Sequence, residues 1–293
     1  MLKESFFALY YLIGAMRRSK FHKFHYKNKY KGKTSSILAN GPSLKYSLKE
    51  YDEGNVIITS DTFMVNLGAL DTEHFFKIRP KHYCFDDPIF YRDYESKKED
   101  IKQMYSIFNE KVDWDMNIYI CYPTEEEFDS FISYSAISNP HISIVKVNRN
   151  FCSRLTKWRE KFFDSGYFMP EGGTIANTAL YIALLEGYST IYLYGADHSQ
   201  FLDIGVNEKN QLCSVDRHFY DAEEGTPKMK PFVNPNSKEG KVFRVHEFFS
   251  FLYYQFWGHE LLRKYADFKG ARVINCSPTS YVDSYERKQN SNV

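Results

Sequence analysis

From Thr34 onward, short apolar runs alternate along the chain with longer stretches in which apolar and polar residues mix. Runs that are apolar throughout are typical of strands in a parallel sheet that helices cover on both faces. The longer stretches have the pattern of the helices that connect such strands. The predicted strands are 35–39, 55–60, 81–85, 117–123, 142–147, 189–197 and 271–278.

Two segments are predicted to form helices of unusual composition, and a third segment is predicted to form a lid. Residues 174–187 form a strongly apolar helix with small residues on one side, and 245–269 form an aromatic-rich helix. The polar stretch 201–242 predicts a long loop or lid over a site, ending at about residue 245. The whole pattern predicts an α/β protein: a Rossmann-like, mostly parallel sheet with helices on both faces, plus a lid, within residues 34–287.

Polar residues follow each apolar run, where ligands bind in sheets of this class, beyond the carboxyl ends of the strands. Because these ends meet at one edge of the sheet, we expect their polar residues to form one nucleotide pocket. The candidates are Asn40, Gly41, Pro42, Ser43, Asp61, Asp87, Gly195, Asp197, His198, Ser277 and Pro278.

The Asn40-Gly41-Pro42-Ser43 turn after the first predicted strand is the leading candidate for nucleotide binding. Gly41 permits close backbone approach, and free amides at the start of the next helix can hold a phosphate. Ser43 is a candidate helix cap or phosphate donor. A plain turn is the alternative interpretation.

A second candidate cradle for an anion opens the helix at 174–187. Gly172 and Gly173 precede the hydroxyl of Thr174, and the helix dipole favours negative charge at that point. Asn177, one turn further on, is placed to hydrogen-bond a ribose or a base. The alternative is a glycine-rich cap that lets the helix pack closely on the sheet.

Histidines supply the candidate acid–base chemistry, since imidazole exchanges protons near neutral pH. Asp197 and His198 end a central strand, and His218 and His246 flank the lid. For the Asp197–His198 pair the alternative is a structural role in ordering the loop. The sequence has no Walker loop, no Gly-x-Gly-x-x-Gly and no Cys-x-x-Cys, so we expect neither NAD, P-loop nor zinc chemistry.

The charge distribution singles out the N-terminal segment, 1–33, and leaves the body acidic. This segment has nine Lys/Arg and one acid, a net charge of +8, against −7 for the remainder and +1 overall. A basic arm on an acidic body indicates a local electrostatic contact, not a nucleic-acid-binding domain. Five widely spaced cysteines indicate reduced thiols in a cytoplasmic protein, and 288–293 is predicted to be a disordered tail.

Within the arm, the apolar run from Phe6 to Met16 is too short to span a bilayer, which takes about 20 residues. Basic residues follow this run, whereas a signal peptide has them in front. The arrangement predicts an interfacial anchor on anionic lipid, at the inner face of the cytoplasmic membrane. The alternative is a helix that packs on the body or on a second subunit of a homo-oligomer.

Several motifs together resemble a known family. ILANGPSL, YCFDDP, GGTIANTALYIALLEGYSTIYLYGAD and INCSPTS are similar in order and spacing to the small bacterial sialyltransferases. They resemble more closely a set of proteins from bacterial surface-polysaccharide clusters that share a domain with the archaeal 6-hydroxymethylpterin pyrophosphokinase-like family. The resemblance covers roughly residues 34–287.

This resemblance implies a variant GT-A-like, sialyltransferase-type fold and transfer of a CMP-activated acidic sugar, sialic acid or Kdo-like, to a glycan or glycolipid acceptor. It implies no obligatory metal or other cofactor, and a catalytic base after the lid, at His246. Asn40 to Ser43, Asp61 and the 171–174 turn would hold the nucleotide, and Ser277 and Pro278 would close its pocket. Asp61 stands where the sialyltransferases have Asn, and His198-Ser199 stands where they have aromatic residues.

Two further hypotheses remain open from the sequence. A pyrophosphokinase-like enzyme would use ATP and Mg²⁺, with Asp86, Asp87 and Asp197 as metal ligands. A non-catalytic adaptor would hold a polysaccharide-synthesis complex at the membrane through residues 1–33.

Overall fold

The computed structural model describes residues 2–18, 22–56, 58–91, 98–122, 124–152, 155–215, 219, 229–234 and 240–288. Its strands are β1 (Thr34–Leu38), β2 (Thr62–Val65), β3 (His82–Phe85), β4 (Met116–Tyr122), β5 (Ile142–Asn148), β6 (Thr190–Tyr194), β7 (Ile204–Val206), β8 (Leu212–Ser214), β9 (Lys230–Pro231), β10 (Arg272–Asn275) and β11 (Glu286–Arg287). Its α-helices are α1 (Leu2–Arg18), α2 (Leu44–Asp52), α3 (Thr72–Ile78), α4 (Lys98–Lys111), α5 (Glu125–Ser135), α6 (Arg159–Asp164), α7 (Ile175–Glu186) and α8 (Val245–Lys269).

Within the described chain, eight strands form one sheet in the order β11-β10-β6-β1-β2-β3-β4-β5, and every neighbouring pair is parallel. From β1 the chain builds outward to β5 and then returns to the other side of β1, where it places β6. The predicted α/β class with a Rossmann-like, mostly parallel sheet is confirmed. The reversal creates a topological switch point between β1 and β6.

Successive side chains of the central strands point to opposite faces of the sheet, and both faces are buried. Ile37 packs in the cluster on the side of α7 and α8, whereas Leu38 packs in the cluster formed with α2 and α4. Helix α7 is buried along nearly its whole length because it lies against the sheet on one side and α8 on the other. This accounts for its almost unbroken apolar sequence.

The second strand differs from the prediction, since it lies at 62–65 and not at 55–60. Phe63 pairs with Ile37 in register, and both are fully buried, whereas Ile58 keeps slight exposure. Thr59 ties the preceding segment to β1 through a 3.1 Å hydrogen bond from its amide to Ser36 Oγ. The more deeply buried run therefore pairs with β1, and Asp61 precedes the strand instead of following it.

Part of the predicted lid is ordered as a small antiparallel sheet, in the order β7-β8-β9. Leu212 and Phe243 from this region pack against Phe248 and Leu252, which lie on the first half of α8. The described part of the lid therefore packs against the first half of α8. Residues 216–218, 220–228 and 235–239 of the lid, and 289–293 of the predicted tail, lie outside the described residues.

Helix α1 packs on the body through Ala8 and Ala15, while Phe6, Ile13 and Met16 on its outer side are exposed. Among the described residues, no helix is both long and apolar enough to cross a membrane. The segment that follows α1 is bound to the body by main-chain bonds from Asn28 and Tyr30 to the end of α7. Helix α1 thus packs on the body, as the alternative interpretation expected, and the segment after it also lies along the body, while the predicted membrane contact stays a prediction.

Candidate functional site

A cavity of about 150 Å³ lies at the switch point between β1 and β6. Its walls are the turns that follow β1, β2 and β6, the first turn of α7, and Asp203 and Val215 of the lid. Of the sequence-predicted residues, the structure brings these together at its wall: Asn40, Gly41, Pro42, Thr174, Gly195, Asp197 and His198.

The two glycines in this wall allow the turns after β1 and β6 to touch. The Gly41 amide donates to the Gly195 carbonyl at 2.9 Å. A Cβ on Gly41 would lie 2.6 Å from Asp197 Oδ2 and closer still to the Gly195 carbonyl oxygen. Gly195 has φ +67°, and a Cβ there would collide with the Ala39 carbonyl and lie 2.9 Å from Leu44 Cβ. Glycine at both positions is thus required by the contact between the turns.

The amides at the start of α2 are already occupied, contrary to the prediction that they hold a phosphate. Ser43 donates its amide to Asp197 Oδ2 at 2.7 Å, and Leu44 donates to the Gly41 carbonyl at 3.0 Å. Ser43 is also buried and does not line the cavity. The carboxylate of Asp197 therefore caps this helix, and a negative phosphate would be repelled there.

The amino end of α7 offers the free amides that α2 lacks. Thr178 makes the first intrahelical bond, to the Thr174 carbonyl, and the amides of Ile175, Ala176 and Asn177 have no acceptor within the described chain. Thr174, Ile175 and Ala176 line the cavity. A helix of 12 residues thus directs its positive end at the cavity.

The predicted residues around this turn support it from behind. Gly172 packs on Asn177, where a Cβ would lie 2.7 Å from the Asn177 Cβ, and Gly173 packs on Phe251. The Thr174 hydroxyl donates to Asn177 Oδ1 at 3.0 Å. Gly172 and Gly173 therefore pack against Asn177 and α8, not against the sheet that the alternative interpretation named, and neither lines the cavity.

Buried side-chain atoms without a hydrogen-bond partner are concentrated around the cavity. In its wall, the partnerless atoms of the described chain are Asn40 Oδ1, Asn66 Oδ1, Asp197 Oδ1 and Gln200 Oε1; beside the wall they are Ser43 Oγ, Asn177 Nδ2 and both amide atoms of Gln255. Buried polar atoms normally have partners, because leaving one unpaired costs about 1–3 kcal/mol. These atoms make the cavity the candidate binding site for a polar ligand.

His198 reaches the cavity wall from a strained backbone, with φ +52°. Its Nε2 lies 2.8 Å from Nε2 of His259, and the Nδ1 of His259 lies 3.0 Å from the Tyr285 hydroxyl. Burial lowers the pKa of His198 to about 3 and holds the pKa of His259 well below its ordinary value, so both rings are neutral. A neutral, hydrogen-bonded histidine pair therefore leads from the cavity wall, at His198, into the protein.

His259 and Tyr285 were not predicted as site residues. Along α8 the buried face runs through Phe248, Leu252, Gln255, His259 and Leu262. Two polar residues within an otherwise apolar buried stripe are the signal that could have identified Gln255 and His259. No local pattern identifies Tyr285.

The structure describes only one of the two other predicted histidines. His246 is exposed on the first turn of α8 and does not line the cavity. It points away from the buried stripe because it lies about 160° around the helix from Phe248. The expectation that His246 is the base stays a prediction, because part of the lid that precedes it lies outside the described residues. His218 lies outside the described residues.

Asp61 lies at the opposite, amino-terminal end of the sheet, so its assignment to the nucleotide pocket is wrong. Its carboxylate accepts from Lys81 at 2.8 Å and from the Tyr188 hydroxyl at 3.1 Å. The polar residue that follows β2 is Asn66, which lines the cavity. Misplacing the strand by a few residues thus moved the prediction from one edge of the sheet to the other.

The residues after β10 support the site without lining it. Ser277 Oγ accepts the Ala196 amide at 3.0 Å, which fixes the turn between Gly195 and His198. Pro278 contributes its carbonyl to Arg287 at 3.3 Å. Ser277 therefore acts one layer behind the cavity, whereas Pro278 is exposed and does not line it.

The acidic residues of the proposed magnesium site are engaged elsewhere. Asp86 is buried, pairs with Arg149 Nε at 3.1 Å and accepts from the Thr178 hydroxyl at 2.7 Å. Asp87 caps the short 3₁₀ turn that follows β3, accepting the Ile89 amide at 3.1 Å. Among the described residues, no group of three or more acidic, histidine or cysteine side chains could hold a metal ion.

Comparison with known proteins adds no assignment: no protein-family model matches the chain, and no curated protein sequence is significantly similar to it.

Proposed function

We propose that this protein is a glycosyltransferase that moves an acidic sugar, sialic acid or Kdo-like, from CMP to a glycan or glycolipid acceptor in surface-polysaccharide synthesis. One observation carries the proposal: the free amides of α7, the partnerless side-chain atoms and His198 all face one cavity at the switch point of a parallel sheet. Nucleotides bind at this position in such sheets.

The amino end of α7 is the feature of the cavity that can receive the phosphate of a nucleotide. The described lining of the cavity contains two acids, Asp197 and Asp203, and no Lys or Arg. The amino end of α7 can neutralise roughly half a unit of charge. A CMP-linked acidic sugar carries one negative charge on its phosphodiester and a second on the sugar carboxylate, and the amino end of α7 can receive the phosphodiester.

The amide side chains suit the polar edges of a pyrimidine and its ribose. The partnerless Oδ1 atoms of Asn40 and Asn66 are acceptors that the exocyclic amine of cytosine can satisfy. Asn66 also follows β2, where the resemblance to the sialyltransferases expects an asparagine. These features support CMP as the nucleotide carrier.

The exposed face of α1 supports a place at the inner surface of the cytoplasmic membrane. Phe6, Leu9, Tyr10, Ile13 and Met16 form an apolar face on this helix, and Phe6 and Met16 are 67% and 69% exposed. An amphipathic helix of this kind inserts its apolar side at the headgroup boundary. A second copy of the chain covering the same face is the competing explanation.

The proposed activity is tested by an assay of sugar transfer. Purified protein is incubated with CMP-sialic acid or CMP-Kdo in EDTA, with lipid-linked oligosaccharide as acceptor, and CMP release is measured. Release that depends on the acceptor and persists in EDTA supports the proposal. Activity only with ATP and Mg²⁺ would support the pyrophosphokinase alternative instead.

A further inference from the structure

The buried pair His198–His259 forms a chain of hydrogen bonds that runs from the cavity into the protein. The two Nε2 atoms are 2.8 Å apart, and His259 Nδ1 is 3.0 Å from the Tyr285 oxygen. The Tyr285 hydroxyl is also 3.2 Å from the His259 carbonyl, to which it can only donate. His198 Nδ1 makes no hydrogen bond within the described chain.

Only one placement of protons on Tyr285, His259 and His198 satisfies all of these hydrogen bonds. Tyr285 has a single proton, and if it donates to the His259 carbonyl, its oxygen must accept from His259 Nδ1–H. A neutral His259 that carries its proton on Nδ1 has a lone pair on Nε2. His198 must then donate from Nε2–H, which leaves a lone pair on His198 Nδ1.

We propose that Tyr285 and His259 are positioning residues that fix the tautomer of His198, so that His198 Nδ1 accepts a proton from a hydroxyl group bound in the cavity. This inference rests on the proposed function, because it takes the hydroxyl to be that of the glycan acceptor. It assigns to His198 the catalytic role that the sequence gave to His246. A lone pair would repel a phosphate oxygen, so His198 does not serve the departing phosphate.

The chemical step balances with the groups present. The acceptor oxygen forms a bond to the anomeric carbon as its own O–H bond breaks. The bond from that carbon to the CMP phosphate breaks, and its electron pair stays on the phosphate oxygen. The proton bonds to His198 Nδ1 and passes on to water; because burial lowers the pKa of His198 to about 3, the imidazolium exists only while the proton is in transit.

The fold holds this chain rigidly. His259 lies on the buried face of α8, and Tyr285 immediately precedes β11, so two separate elements hold the positioning residues. The ring of Phe256 packs edge-on to His198 at 5.9 Å and limits its rotation. The left-handed φ of His198 is a strain that persists only when its surroundings impose it, as happens at active sites.

Tautomers can be read directly by NMR in the full-length protein labelled with ¹⁵N-histidine, with signals assigned from His198→Asn and His259→Gln variants. Asparagine is chosen at 198 because it tolerates a left-handed φ. The expected spectrum has His198 protonated at Nε2 and His259 protonated at Nδ1. A spectrum with His198 protonated at Nδ1 overturns the inference.

Kinetics with CMP-sugar and acceptor test the consequence. His198→Asn should lower kcat by about 10²- to 10⁴-fold, as expected for loss of a general base. Tyr285→Phe should lower kcat by about two- to tenfold, the effect of one hydrogen bond, without changing the KM for the donor. His259→Gln, which retains an acceptor for His198 Nε2–H, should keep more activity than His259→Leu.

The control is His141→Asn, since His141 is exposed beside β5, and its activity should equal that of the wild type. Wild-type kcat in His198→Asn, or equal kcat in His259→Gln and His259→Leu, overturns the inference. If the wild-type protein releases no CMP while the tautomers are as expected, the proposed function fails and the tautomer assignment stands.

Discussion

Gly41→Ala tests the contact between the two turns on which the cavity is built. The added Cβ would lie 2.6 Å from Asp197 Oδ2 and 3.0 Å from its Cγ, and it would meet the Gly195 carbonyl oxygen more closely still. Because the nearest obstacle is main chain, the turns can accept the methyl group only by moving apart.

The expected cost follows from the contacts that such a movement breaks. Overpacking of this kind typically costs about 1–3 kcal/mol. The Gly41–Gly195 main-chain hydrogen bond is worth about 1 kcal/mol, and the bond from the Ser43 amide to the Asp197 carboxylate about 1.5–3 kcal/mol. The overpacking cost together with partial loss of both bonds predicts a fall of about 2–5 kcal/mol in the free energy of unfolding.

Urea denaturation followed by circular dichroism measures this free energy. The matched control is Gly205→Ala, where the new Cβ meets only the flexible end of Met229, its sulfur at 2.9 Å. That variant should change the free energy of unfolding by less than about 1 kcal/mol. Equal stability of Gly41→Ala and Gly205→Ala would refute the account of how the two turns fit together.

Three further predictions concern other parts of the molecule. Burial raises the pKa of Glu186 from 4.5 to about 8, so between these pH values the folded state binds more protons than the unfolded state and the free energy of unfolding falls as pH rises. In Glu186→Gln, chemical denaturation should show a smaller fall in the free energy of unfolding over the same pH range. Ile13→Glu should weaken cosedimentation with anionic vesicles, whereas Tyr46→Glu, on an exposed face of α2, should not; equal binding would exclude α1 as the anchor. Asn66→Ala should weaken CMP binding by about two- to tenfold in calorimetry with little change in thermal stability, and unchanged affinity would remove Asn66 from the site.

The fold was predictable because burial on both faces of a parallel sheet leaves continuous apolar runs in the sequence. Such runs do not fix which residues pair. Both 55–60 and 62–65 are apolar, and only the pairing of Phe63 with Ile37 decides between them. Asp61 was therefore placed at the wrong edge of the sheet.

The turns of the candidate site could be predicted from the sequence, whereas its long-range contacts could not. The Asn40–Gly41 and Gly195–His198 segments follow strands, so topology alone brings them together. The bond from Ser43 to Asp197 joins residues far apart in sequence, and the contacts of His198 with His259 and Tyr285 depend on the packing of α8. No local pattern encodes such contacts.

The most direct test of the central claim is a thermal-shift comparison of CMP, UDP, GDP and ATP, each with and without Mg²⁺. If the cavity holds a CMP-sugar, CMP should raise the melting temperature by the same amount in Mg²⁺ and in EDTA, and more than the other three nucleotides. Stabilisation by ATP that requires Mg²⁺, with no effect of CMP, would contradict the claim.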